Sequence, residues 1–177
     1  FRLNNDKLNI AFIGIGSNEG NKIENIKSAI TLINDLADCT IEKLSSLYET
    51  LPFGDVIQDN FFNAAIKIST SSNLQELFSD LKIIEQKLGR IFREKWGPRE
   101  IDLDILLFND LIFSNEIITL PHKGIIYRDF VLVPLIEIEP ELIHPVYNKK
   151  MADFVSGLKI KNIINQLSEP LFTEEKY

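Results

Sequence analysis

The apolar positions of this chain change period several times, and each change marks an element. Residues 8–13 are almost unbroken apolar sequence, the pattern of a strand covered on both faces. The run ends in Gly14-Ile15-Gly16-Ser17-Asn18-Glu19-Gly20, a glycine-rich turn. Beyond it Ile23, Ile26, Ile30, Ile33 and Leu36 recur at helical spacing, which predicts an amphipathic helix over residues 21–37. Residues 41–50 carry a weaker strand pattern, closed by Leu51-Pro52-Phe53-Gly54 at the start of a loop. Residues 60–70 predict a third strand. Ser72-Asn73-Leu74-Gln75 has the form of a capping box, and Leu74, Leu77, Phe78, Leu81, Ile84 and Leu88 give the next helix one apolar face before Gly89 stops it. A basic loop leads to the strand over residues 102–108. Its second half, Ile105-Leu106-Leu107-Phe108, is apolar on both faces and is expected to lie centrally in a sheet.

The order β-α-β-β-α-β suits an α+β fold with a ferredoxin-like core and helices packed on one face of the sheet. Residues 111–113 and 117–120 predict an added hairpin, ended by Pro121-His122-Lys123-Gly124. A short helix is expected from Arg128 and a further C-terminal helix from Met151. At 177 residues the expectation is one domain over residues 1–160, with residues 161–177 a tail or linker.

Composition narrows the function classes. With 45% hydrophobic and 25% charged residues, and no apolar stretch near the ~18 residues of a membrane span, no membrane segment is expected. A net charge of −7 argues against a nucleic-acid partner or an anionic membrane surface. The single cysteine, Cys39, excludes an internal disulfide, and residues 1–7 lack the apolar core of a signal peptide, so a cytoplasmic location is expected. Against the acidic background Arg90, Arg93, Lys95 and Arg99 form one short basic cluster.

That cluster runs into Trp-Gly-Pro-Arg-Glu-Ile-Asp-Leu-Asp-Ile over residues 96–105. On a strand, alternate side chains share a face, so Asp102 and Asp104 point the same way at roughly 6–7 Å between Cβ atoms. Like charges that close require a cation between them. A solvated strand face is the bland alternative, but aspartate is disfavoured in strands, and two in succession at the start of an apolar one weaken it. The glycine turn reads Gly-x-Gly-x-x-x-Gly, which fits neither the dinucleotide nor the P-loop pattern and is taken as a tight strand-to-helix connection, a candidate for the lining of a site. Three function classes stay in play: a metal-dependent transferase, a non-catalytic ferredoxin-like ligand-binding module, and a two-metal phosphohydrolase. The last normally adds histidine ligands, and His122 and His144 are the chain's two histidines.

Several blocks in order carry a resemblance: Gly-Ser-Asn at 16–18, Asn63-Ala64-Ala65, Glu85 through Arg90, the block at 96–105, Pro121-His122, and Arg128-x-Phe130. Together they resemble the 6-hydroxymethyl-7,8-dihydropterin pyrophosphokinase family of folate biosynthesis, across residues 10–157. The resemblance implies the ferredoxin-like core and transfer of pyrophosphate from ATP to the pterin's hydroxymethyl group, with release of AMP. It implies two Mg²⁺ ions held by Asp102 and Asp104, and Arg90 with a second loop arginine acting on the phosphates. The loop is one residue shorter than in some relatives, so Phe92 or Arg93 falls at the second place, and Arg93 is assigned because it can donate to phosphate. Glu85, Trp96, Arg99, Ile105, Thr119, His122 and Arg128 would line the nucleotide. Phe61 and Phe130 would sandwich the pterin, Asn63 would bond its edge, and Thr50 through Phe53 would offer backbone groups. A covalent fusion to dihydropteroate synthase is a minor expectation.

Overall fold

The first apolar run becomes β1 (Asn9–Ser17), which continues through Gly14 and Gly16 because both glycines stay paired on either side. The structure is a computed structural model that describes residues 7–53, 57–91, 97–168 and 171. After β1 come α1 (Lys22–Asn34), β2 (Cys39–Leu44), β3 (Leu47–Thr50), β4 (Phe61–Thr70), α2 (Leu74–Lys87) and β5 (Asp102–Phe108). Then follow the hairpin β6 (Phe113–Ser114) with β7 (Thr119–Leu120), α3 (Asp129–Ile138), the pair β8 (Ile143–His144) with β9 (Lys149–Lys150), a 3₁₀ helix at Met151–Gly157, and β10 (Ile163–Leu167). All strand pairs are antiparallel, and the main sheet runs β10-β3-β4-β1-β5 with β2 also on β4.

Alternation divides the sheet into two faces. Ala11, Ile13 and Ile15, with Ala64, Ile66 and Ile68, and Leu103 and Ile105, pack on Ile26, Ala29, Ile30 and Ile33 of α1 and Leu77, Leu81 and Ile84 of α2. Each isoleucine or leucine buried there contributes about 1.5–3 kcal/mol, enough for a modest helix stripe to fix its side of the sheet. The opposite face is covered in part: Phe12, Ala65, Leu106 and Leu107 meet Leu132, Leu135 and Ile138 of α3 and Met151. Helices therefore pack on both faces, where one face was expected, and the uncovered end of the second face is the site.

Other expectations are corrected by contacts distant in sequence. The strand predicted over 41–50 is two strands, broken at Ser45-Ser46. Ser45 exchanges bonds with Ala65 through its own N–H (2.9 Å) and through its hydroxyl (2.8 Å), while the Ser46 N–H and hydroxyl turn to the Glu137 carboxylate on α3. The capping box lies one residue later than predicted: Asn73 Oδ1 accepts from the Gln75 and Glu76 N–H groups, and Glu76 accepts from the Asn73 N–H at 2.8 Å. β5 is an edge strand in the sheet ladder, not a central one. It is apolar on both faces because α2 and the α3 layer cover them, and its outer edge is bonded by the Glu85 carboxylate to the Leu103 N–H and by the His122 N–H to the Leu106 carbonyl. The segment from Met151 winds as 3₁₀, and Ile163–Leu167, in the stretch assigned to a tail, forms an edge strand on β3. Among the described residues no helix is long and apolar enough to cross a membrane.

Candidate functional site

One pocket opens over the second face, where two glycines of β1 leave the sheet bare. Gly16 lies opposite Asp102 on one side and Asn63 on the other, and Gly14 lies between Asp104 and Ala65. A Cβ at Gly16 would stand 2.9 Å from Asn63 Oδ1, and one at Gly14 would stand 3.3 Å from Leu106 Cδ2, so side chains there would close the floor. Thr50, Leu51, Phe53, Gln58 and Phe61 form one wall, Arg99 another, and His122, Arg128, Phe130 and Val131 the roof. Gly14 and Gly16, expected in a turn, are thus strand residues, and they line the cavity.

The carboxylate pair lies on this floor as strand alternation predicts. Asp102 is clamped by two guanidiniums, with Arg90 Nη1 at 2.7 Å from Oδ1 and Arg99 Nη1 at 2.5 Å from Oδ2. Burial alone would raise its pKa, but Arg99 and Arg90 outweigh burial and hold the carboxyl below its usual range. Asp104 makes no ion pair with an arginine or lysine among the described residues, and burial, then the neighbouring Asp102 charge, pushes it up to about 7. A divalent cation between these oxygens would remove that strain. Hard carboxylate oxygens suit Mg²⁺, which needs only one or two of them when a polyphosphate and water complete its shell. Among the described residues no group of three or more His, Cys, Asp or Glu forms a ready-made cage.

Behind the pair, Glu85 is buried, and its Oε1 accepts from Arg90 (2.5 Å), Lys82 (2.8 Å) and the Leu103 N–H (2.7 Å). It therefore braces Arg90 against β5 and is not among the residues that line the pocket. Arg99 is held by Asn18: the Asn18 N–H donates to the Arg99 carbonyl at 3.1 Å and Asn18 Oδ1 accepts from the Arg99 N–H at 2.9 Å. The Asn18 amide also donates to Gln58 Oε1 at 2.9 Å, while Ser17 Oγ and Asn25 Nδ2 both donate to the Glu100 carbonyl. The Gly-Ser-Asn block is thus a clamp that carries Arg99. Asn18 and Gln58 were not singled out as site residues, although Asn18 closes the Gly-Ser-Asn block that carries part of the resemblance.

On the aromatic side, the Phe53 and Phe130 rings meet edge to face at 6.4 Å between centroids, and the Arg128 guanidinium lies 4.5 Å over Phe53 and 5.9 Å over Phe130. Phe61 lines the same pocket, but the ring contact of Phe130 is with Phe53. Asn63 is buried and donates to Thr50 Oγ1 at 2.8 Å. His122 Nδ1 accepts from the Gly124 N–H at 3.2 Å, which leaves the proton of the neutral ring on Nε2. Burial, then Arg128, lowers its pKa to about 4, so at neutral pH it is a donor without charge.

Two more residues expected at the nucleotide are not among those lining this pocket. The Ile105 side chain packs in the core beneath the sheet, because it alternates with the aspartates. Thr119 lines an adjoining cleft that shares His122 with the pocket and includes Phe113, Tyr127 and Tyr147. Arg93 and Trp96 lie outside the described residues. His144, to which no role was assigned, is buried against Tyr147 and Phe154.

An antiparallel sheet with helices on both faces, and an acid–arginine–aromatic pocket on the uncovered end of one of them, defines the class: a mixed α/β domain with a ligand-sized pocket on its open sheet face. The sequence pattern of the 7,8-dihydro-6-hydroxymethylpterin-pyrophosphokinase (HPPK) family matches residues 12–140, and the chain belongs to that family. It is 43% identical over 143 residues to the 2-amino-4-hydroxy-6-hydroxymethyldihydropteridine pyrophosphokinase of Aquifex aeolicus, covering 81% of this chain and 88% of that one. It is 36% identical to the folic acid synthesis protein fol1 of Schizosaccharomyces pombe over 89% of this chain but 21% of fol1. A crystal structure of Plasmodium falciparum HPPK-DHPS shares the fold with a TM-score of 0.67 at 16% identity, over 87% of this chain and 44% of that one.

Proposed function

We propose that this chain transfers a pyrophosphoryl group from ATP to the hydroxymethyl oxygen of 6-hydroxymethyl-7,8-dihydropterin and releases AMP, a step of folate biosynthesis. The observation that carries the proposal is the meeting, in one pocket of a chain of this family, of Asp102 and Asp104 with Arg99, Arg128 and the Phe53–Phe130 pair. Displacement at phosphorus asks a protein for positioning and charge stabilisation, and the parts present supply both. Arg99 and Arg128 face the pocket, and Arg90 reaches its floor through Asp102. There they would meet negative charge on the phosphates, with the neutral His122 as a further donor. Phe53, Phe61 and Phe130 would hold a flat ring, with Asn63 and the segment from Thr50 at its polar edge. Asp102 and Asp104 would hold Mg²⁺, which when bound neutralises phosphate charge and polarises the phosphoryl oxygens.

The strand order, with β4 and β5 flanking β1 and β2 and β3 beyond β4, supports the ferredoxin-like description of the core. A reducing compartment such as the cytoplasm suits the free thiol of Cys39, which burial pushes up to about 11 and so keeps protonated. The length of fol1 and of HPPK-DHPS beyond this chain supports a fusion to dihydropteroate synthase in a longer polypeptide.

Incubation with ATP, Mg²⁺ and the hydroxymethyl dihydropterin, followed by separation of the nucleotides, tests the proposal. AMP should form only when all three are present and should cease with a chelator. Nucleotide breakdown without the pterin would instead mark a phosphohydrolase, and no breakdown at all a binding module.

A further inference from the structure

Asp129 is 4% exposed at the first turn of α3, and its charge is met by backbone N–H groups. Oδ1 accepts from Phe130 at 2.8 Å, and Oδ2 accepts from Asn162 at 2.7 Å and from Ile163 at 2.9 Å. Its two chain neighbours, Arg128 and Phe130, both line the pocket. On the far side, the Asn162 carbonyl accepts from the Leu51 N–H at 2.9 Å, and Ile163 is paired with Thr50. One carboxylate thus joins the start of α3, the start of β10 and the end of β3, the segments that supply the roof and one wall of the aromatic side.

β10 is held by its ladder to β3, by the Gln166 amide on Ser46 Oγ and by Leu167 against the core, and Asp129 binds its first residue. Ile163 and Leu167 are half-buried, and the three residues between them are exposed. A carboxylate taking several N–H groups makes short, strong bonds, and at the first turn of a helix it also meets the positive end of the helix dipole. The opposite end of the pocket, with Arg90, Arg99 and the aspartate pair, has no contact with this latch among the bonds above.

We propose that Asp129 is a positioning residue for the pterin half of the site, acting through Phe130 and the wall beginning at Thr50. The proposal rests on the pyrophosphokinase reading. Loss of the latch loosens the ring pocket while the phosphate side keeps its bracing.

Steady-state kinetics of the full chain with each substrate varied in turn tests this. In Asp129→Ala the KM for pterin should rise about tenfold, the scale of one charge-assisted hydrogen bond, while kcat and the KM for ATP change less than about twofold. Asp129→Asn, which keeps the shape and one acceptor oxygen, should fold in any case and show a smaller rise in the same constant. Asn162→Pro removes one of the donors, and its effect on the pterin KM should be less than additive with that of Asp129→Ala. Absence of pterin-dependent AMP in the unaltered protein would overturn the functional reading and this proposal with it. With that activity present, an unchanged pterin KM in both Asp129 variants, or equal losses in all constants, would overturn the positioning role alone.

Discussion

Asp102 and Asp104 share one face of β5, yet their carboxyls are driven to opposite sides of the ordinary carboxylate range. Arg99 and Arg90 hold the first below it against the effect of burial, while burial and the Asp102 charge raise the second to about 7. The asymmetry follows from placement. Asp102 lies within reach of both guanidiniums, whereas at Asp104 the more distant Lys82 and Arg99 do not offset burial and the like charge of Asp102.

Because the folded-state pKa of Asp104 lies above its unfolded value of 3.8, its contribution to stability is full at acid pH and is lost as pH rises through about 7. Asp104→Asn imitates the protonated form. In metal-free buffer, urea unfolding at a series of pH values should show the unaltered protein losing roughly 2 kcal/mol relative to the variant between acid and mildly alkaline solution, once solvent screening is allowed for. Parallel pH profiles for the two proteins would contradict the assignment.

Substitution of either aspartate by alanine should lower turnover by on the order of a thousandfold, since several kcal/mol of charge stabilisation pass through the pair. Circular dichroism should show both variants folded, as neither side chain belongs to an apolar cluster. Near-normal rates in both would remove the metal role.

Glu85→Gln removes the charge that braces Arg90 and Lys82 while keeping size. Breaking such a buried pair costs about 3 kcal/mol, which denaturant unfolding should reveal, and kcat should fall more than either KM because Arg90 loses its support. Unchanged stability would show that Asp102 alone suffices to hold Arg90.

Gly16→Ala places a methyl group 2.9 Å from Asn63 Oδ1, so the amide must shift. Calorimetry should record pterin affinity weakened about tenfold, with the melting temperature little changed. An affinity equal to that of the unaltered protein would show that Asn63 does not contact the ring edge.

Elements whose periodicity is local were legible from the chain alone. The helical stripe from Ile23 and the apolar runs of β1 and β4 fold as the spacing predicts. What escaped depends on partners far along the chain: the break at Ser45-Ser46 is made by Ala65 and Glu137, and β10 is positioned by Asp129 and β3. The aspartate pair was legible because alternation is strict, and the same alternation places the Ile105 side chain on the buried face. The Asn18 clamp was hidden because its function lies in the Arg99 segment that the fold brings opposite it.

Phosphorus NMR of the complete reaction tests the central claim most directly. With ATP, Mg²⁺ and the hydroxymethyl dihydropterin, the account predicts that the ATP signals give way to AMP and to a coupled pair from a pterin pyrophosphate. The appearance of ADP with a pterin monophosphate, or of orthophosphate, would contradict it.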